Sequence, residues 1–365
     1  MTTPLIGVRI LDFSRVLAGP LATMILGDLG AEVIKVERPI AGDDSRSWGP
    51  PFDERGESAY YLSCNRNKLS VSADLNDPSD IRLLGELAAA ADVIVDNFLP
   101  GTLERYGLDP TLLLAAHPNL IWCTITGFGA DSARPGYDYV VQAESGWMSI
   151  TGEVGRSPMK VGVALADVIA GKDAAIAILA ALAGTRRGTP IERRVFVSLY
   201  HSAVGALVNV AQNALVTRRD AVRWGNAHPN LVPYETFPAS DRDVVIAVGN
   251  DAQFAALVAA LDLPVLAGVR YSTNAGRVLH REDVVNALRA RLATAPAAHW
   301  IALLDRAGVP SGVVRSVLEA LADVSASVAT GVAPLSPGTI RRPPPMLDQH
   351  GAVVRARGWG AFLAS

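Results

Sequence analysis

The sequence predicts an α/β protein: a doubly wound parallel sheet in a large domain, joined to a smaller α+β domain. Three observations point there. Short β-branched runs alternate with helical segments over the first 200 residues, the loops after those runs are rich in Gly, Pro and polar residues, and past residue 200 the pattern becomes compact and mostly helical.

Strands are expected at 9–13, 32–36, 93–96, 120–126 and 194–197, with helices at 20–29 and 80–91, the latter opening on the capping sequence PSD. In such folds ligands collect beyond the carboxyl ends of the strands, here the loops 14–20, 37–46, 97–107 and 127–138. The turn after the first strand reads AGP and not GxGxxG, which argues against a dinucleotide enzyme. A strand-like run at 161–165 leads to Asp167, and a long Ala/Ile/Leu segment after it reads as a buried helix.

Residues 201–225 read as a helical linker, and the following turn-rich stretch contains Pro229, Pro233 and Pro238. A strand at 244–248 and helices near 251–261, 281–293 and 297–307 make a small domain over 226–325. The tail has too little apolar material to fold alone, so 326–365 is expected to rejoin 1–200 in the large domain.

Composition narrows the function. A net charge of −3, with no basic run longer than pairs such as Arg341-Arg342, gives no phosphate-tracking surface for nucleic acid. Cys64 and Cys123 are the only cysteines and stand in no metal-ligand spacing, so neither a disulfide framework nor structural zinc is expected. The N-terminal residues lack the basic start and apolar core of a secretory leader, and the most apolar window, 174–184, is too short to span a bilayer. A cytoplasmic protein that stays off the membrane is expected.

Asp167, at the joint between an apolar run and a helix, admits three readings. It can cap the helix, since Asp accepts bonds from first-turn amides and suits the positive helix end. It can ligate a metal, although Asp173 is the nearest other acid. Or it can act as a nucleophile, because a carboxylate is ionised at neutral pH and attacks an acyl carbon without a partner base. The pattern alone leaves these open.

The ordered motifs ILDFSRVLAGP, VERPIAGDDSR, NRNK, NFLPGTLERYG, GYD, KVGVALADVIAG and PPPMLDQHG extend from the first strand to the tail. In them the chain resembles the class III CoA-transferases of the CaiB/BaiF type, a family with a Rossmann-like large domain that also has α-methylacyl-CoA racemases as relatives. The resemblance implies CoA transfer from an acyl-CoA to a small carboxylic acid, with CoA as substrate and no permanently bound cofactor or metal. It makes Asp167 the nucleophile, forming first a mixed anhydride and then an aspartyl-CoA thioester. It brings Val16, Leu17, Ala18, Asn97 and Phe98 to the pantetheine and acyl end, and Arg38, Arg66, Lys68 and Arg105 to the phosphates and nucleotide. It further implies an interlocked homodimer of ring-shaped chains, each active site lying between the large domain of one subunit and the small domain of the other.

Tyr137 and Asp138 choose within the family. The racemases carry a His in this motif as one of two proton-transferring bases, whereas Tyr137, with an ordinary pKa of about 10, is a poor base. Transferase is favoured, with racemase or epimerase as the alternative. Formyl-CoA transferases have Gln where this chain has Leu17, and a glycine-rich run where it has only Gly249. An oxalate/formate pair is therefore disfavoured, and Val16 and Leu17 suit a dicarboxylate or branched acid. His228, in its HPN turn, reads as structural.

Overall fold

The computed structural model describes residues 3–363, which divide into two compact units. The first comprises residues up to Met148, then Lys160–Arg219, and the chain from Val324 onward. It is built on six parallel strands: β1 (Arg9–Asp12), β2 (Glu32–Glu37), β3 (Lys68–Ser72), β4 (Val93–Asp96), β5 (Ile121–Thr126) and β6 (Arg194–Ser198). Their order is β3-β2-β1-β4-β5-β6, so the winding reverses between β1 and β4.

Both faces of this sheet are covered, which follows from the alternation of apolar side chains along each strand. Ile10, Val33, Val95 and Cys123 enter one core with the helices Ala18–Asp28 and Leu165–Arg186. Leu11, Ile34, Ile94 and Trp122 enter the other with the helix Pro78–Ala89 and, from the C-terminal segment, Val354, Trp359 and Ala361. The Trp359 indole donates to the Leu87 carbonyl at 3.0 Å, so this apolar docking also satisfies a helix-end acceptor.

The structure departs from the sequence expectations in three places. The run 161–165 is no strand: Val161 N donates to the Gln142 side chain and the segment stays a loop until the helix starts at Leu165. Conversely β3 is a strand the pattern missed, because KLSVS carries polar residues whose partners are remote in sequence: Lys68 is bound by Asp12, and Ser70 donates to Glu37. The segment 201–225, read as a linker, divides instead. Helices Leu199–Gly205 and Val208–Thr217 lie in the first unit, and residues from Asp220 lie in the second.

The second unit comprises Ser149–Met159 and Asp220–Asp323. Three antiparallel strands, β7 (Tyr234–Pro238), β8 (Asp243–Ala247) and β9 (Ser311–Val313), pair in that order. Phe237, Val244 and Ile246 pack against Phe254, Leu288 and Trp300 from the helices Asp251–Ala260, Arg281–Leu292 and Ala297–Arg306. Asn250 caps the first of these through a bond from Gln253 N.

Candidate active site

The reversal between β1 and β4 leaves a crevice beyond their carboxyl ends, where open α/β sheets bind ligands. The two loops that border it are tied to each other. Arg15 N donates to Asn97 Oδ1 at 2.9 Å and Asn97 Nδ2 returns a bond to the Arg15 carbonyl at 2.8 Å. Val16, next in the loop, has φ +71°, a left-handed conformation costly for a β-branched residue. It is held there by Asp43, whose two carboxylate oxygens accept from Val16 N at 3.2 Å each. Beneath lies the fully buried Lys35, its ammonium donating to the Ser14 carbonyl at 2.8 Å and to Asp43 at 2.9 Å. Burial works against ionisation of Asp43, but the charge of Lys35 and the hydrogen bonds from Lys35 and Ser45 together more than offset it and lower the carboxyl to about 2, so the acceptor of the Val16 amide stays charged.

Asp167 reaches this loop by close helix packing. Gly171, one turn further along the helix, sits so near the Ala18 carbonyl that a Cβ would come within 2.6 Å of it. Ala166, Ala170 and Ala174 supply the rest of a small-residue face. The approach brings Asp167 into a cavity of about 290 Å3 lined also by Arg15, Val16, Leu17, Ala18, Asn97, Phe98, Arg134 and Tyr137. A larger cavity of about 650 Å3 shares Phe98 and Thr126 with it, and there the acid Asp96 is saturated by bonds from Trp122, Thr124 and Phe98 N.

Asp167 is not the helix cap. Ala164 holds that position and Asp167 falls in the first turn. The bond that caps the helix comes from Asp138, whose Oδ1 accepts from Ala166 N at 2.8 Å and, at a longer 3.4 Å, from Asp167 N. Gln142 holds the other oxygen of Asp138 at 2.7 Å. Burial first, and the neighbouring Asp138 charge second, push the Asp167 carboxyl up to about 7. The acid expected to be fully ionised at neutral pH is thus only about half ionised there. Among the described residues no group of three His, Cys, Asp or Glu side chains is arranged to hold a metal.

Of the residues the sequence assigned to CoA, Val16, Leu17, Ala18, Asn97 and Phe98 gather round Asp167. Arg38 and Arg105 are exposed outside that cavity, Arg38 paired with Asp44 and Arg105 donating to the Gly101 carbonyl. Arg66 and Lys68 are corrected. Arg66 is buried, clasping Asp28 with two nitrogens at 2.9 and 2.7 Å and donating to the carbonyls of Thr330 and Val332. Lys68 is fully buried and spends its protons on Asp12, the Pro20 carbonyl and Asn65. Both cations are buried and bonded to partners inside the fold, which turns them away from a phosphate in solvent. The NRNK motif instead docks the C-terminal segment, since Asn67 Oδ1 also accepts from the backbone of Arg341 and Arg342. Arg15 and Arg134 also line the cavity, beyond the residues the sequence indicates; Arg15 stands in the first loop, one residue before Val16.

The model of CoA-transferase family III matches residues 5–358. The chain belongs to this family. It is 45% identical to mouse succinyl-CoA:glutarate CoA-transferase over 88% of its own length and 74% of that protein. With succinate–glutarate CoA-transferase of Agrobacterium fabrum it shares 42% identity over 88% of this chain and 82% of the relative. Its structure resembles a CaiB/BaiF family protein from Brucella suis with a TM-score of 0.85 and 38% identity, covering 98% of this chain and 99% of that one. The protein is thus a class III CoA-transferase, an enzyme that moves CoA between an acyl-CoA and a carboxylic acid. Its helices, among the described residues, include none long and apolar enough to cross a membrane.

Proposed function

We propose that this enzyme transfers CoA between short carboxylic acids, dicarboxylates in particular, through covalent intermediates on Asp167. The observation that carries this reading is the half-buried Asp167 carboxyl, raised toward neutrality, in a cavity walled by the loops after β1 and β4. The ionised carboxylate attacks the thioester carbonyl, forming a mixed anhydride and releasing CoA thiolate. The thiolate attacks the aspartyl carbonyl, releasing the donor acid and leaving an aspartyl-CoA thioester. The acceptor carboxylate attacks that thioester to form a second anhydride, and the thiolate then takes the acceptor acyl group, restoring Asp167. Each step exchanges one acyl bond for another, so no oxidant or external base is consumed.

Partial desolvation helps such a nucleophile, because water shields a carboxylate more than an apolar helix face does. Val16, Leu17, Ala18, Asn97 and Phe98 would hold the pantetheine and acyl end, with Arg38 and Arg105 contacting the nucleotide. The relatives named for succinyl-CoA and glutarate support four- and five-carbon diacids as the exchanged pair. We assign the enzyme to an interlocked homodimer working in the cytoplasm. In support of the dimer, Ile176, Val208, Leu215 and Val216 leave large apolar side chains exposed on the first unit.

The test is to incubate the protein with succinyl-CoA, quench, and examine the peptide containing Asp167 by mass spectrometry. A CoA adduct there, discharged by glutarate, is expected; turnover with an unmodified Asp167, or full activity of D167N, would refute the mechanism. Loss of activity on dilution to monomer tests the dimer.

A further inference from the structure

We propose that Arg15 receives the second, non-reacting carboxylate of a dicarboxylic acyl group held at Asp167. The proposal rests on the reading of Asp167 as the site of CoA exchange and names what selects the acid there.

Three guanidinium groups stand at or beside the cavity, and two already have their anions. Arg134 is paired through both terminal nitrogens with Glu144 and lies over the Phe128 ring at 4.2 Å. Arg38 is bonded to Asp44 and to the Gly42 carbonyl. Arg15 has only the remaining Asp44 oxygen, 3.5 Å away and beyond a good hydrogen bond, and its Nε is buried without a partner. A buried donor left unmet is costly, and here it belongs to a side chain that lines the nucleophile's cavity.

The group is also positioned in advance. The backbone of Arg15 is clasped on both sides by Asn97, and its guanidinium lies over the Phe98 ring at 4.8 Å. Arg15 and Arg38 together carry two positive charges against the single Asp44, leaving room for one more anion. A guanidinium presents paired donors that match a carboxylate. A CoA phosphate could use the same chemistry, but Arg15 shares a cavity with the reacting acid, whereas Arg38 and Arg105 lie outside it. A monocarboxylic acyl chain would leave the buried Nε unmet.

The test compares acids of equal length with one or two carboxylates, in wild type, R15Q and R15K. Wild type is expected to favour glutarate over pentanoate as acceptor, R15Q to lose about 100-fold in kcat/KM for glutarate with little change for pentanoate, and R15K to recover part of it. Binding of free CoA, unchanged in R15Q, reports that the variant is folded and that no phosphate contact was removed. Equal losses on both acids, an unaltered preference, or weakened CoA binding would each overturn the assignment. Equilibrium binding of succinyl-CoA against butyryl-CoA to D167N, with and without R15Q, reads the same preference without turnover. It therefore separates failure of the Arg15 assignment from failure of the Asp167 mechanism.

Discussion

Asp138 caps the helix that carries Asp167 and, through its charge, adds to the burial that raises the pKa of Asp167. Its Oδ1 accepts from Ala166 N at 2.8 Å, which orients the first turn of the helix, and its negative charge opposes ionisation of the neighbouring acid. One residue thus couples the geometry of the nucleophile to its protonation.

The proposed chemistry needs the ionised form of Asp167, so kcat/KM should rise about tenfold per pH unit on the acid side and level off above about 7. Asp138→Asn keeps an oxygen acceptor for Ala166 N but removes the charge, and the midpoint should fall. It should stop short of an ordinary aspartate value, because burial is the larger cause. A pH–rate profile of the two proteins checks this.

Asp167 also sets a stability trend. With its folded pKa above its ordinary value of 3.8, the fold favours the protonated acid, so this group's contribution is fully present below pH 4 and is lost as pH rises through about 7. Asp167→Asn should therefore be more stable than wild type at pH 8 by on the order of 2 kcal/mol, with the difference vanishing near pH 4. Urea unfolding at both pH values measures it.

Lys68→Met should act on the fold and not selectively on CoA binding. Removing its ammonium strands Asp12, fully buried and 3.1 Å away, at a cost of about 3–5 kcal/mol. Denaturant midpoints should drop sharply; a folded variant with normal stability and a raised KM for acyl-CoA would restore Lys68 to the CoA site.

Val16→Gly should stabilise the free enzyme by about 1 kcal/mol, since glycine adopts φ +71° without steric cost. The same change removes a wall of the cavity, so KM for the acyl-CoA should rise. Thermal melting read alongside steady-state kinetics distinguishes the two effects.

The strands at 9–12, 93–96, 121–126 and 194–198 were legible because their apolar runs are local, and so was the place of Asp167 at the head of a helix. β3 was not, since Lys68 and Ser70 become tolerable in a sheet only through Asp12 and Glu37. Nor could the motif NRNK be read correctly. A positive charge near a strand suits a phosphate and an internal carboxylate equally well, and only the meeting of Arg66 with Asp28 decides between them.

By itself the sequence determined the alternating βα order, the family motifs and the chemical type of the residue offered at 167, because these depend on neighbours along the chain. The tertiary structure alone decided which cations lie inside, which line the cavity, and how readily Asp167 ionises. Burial and the charge at Asp138 come from segments that meet only on folding, and the free energy of a charge depends on what surrounds it in space.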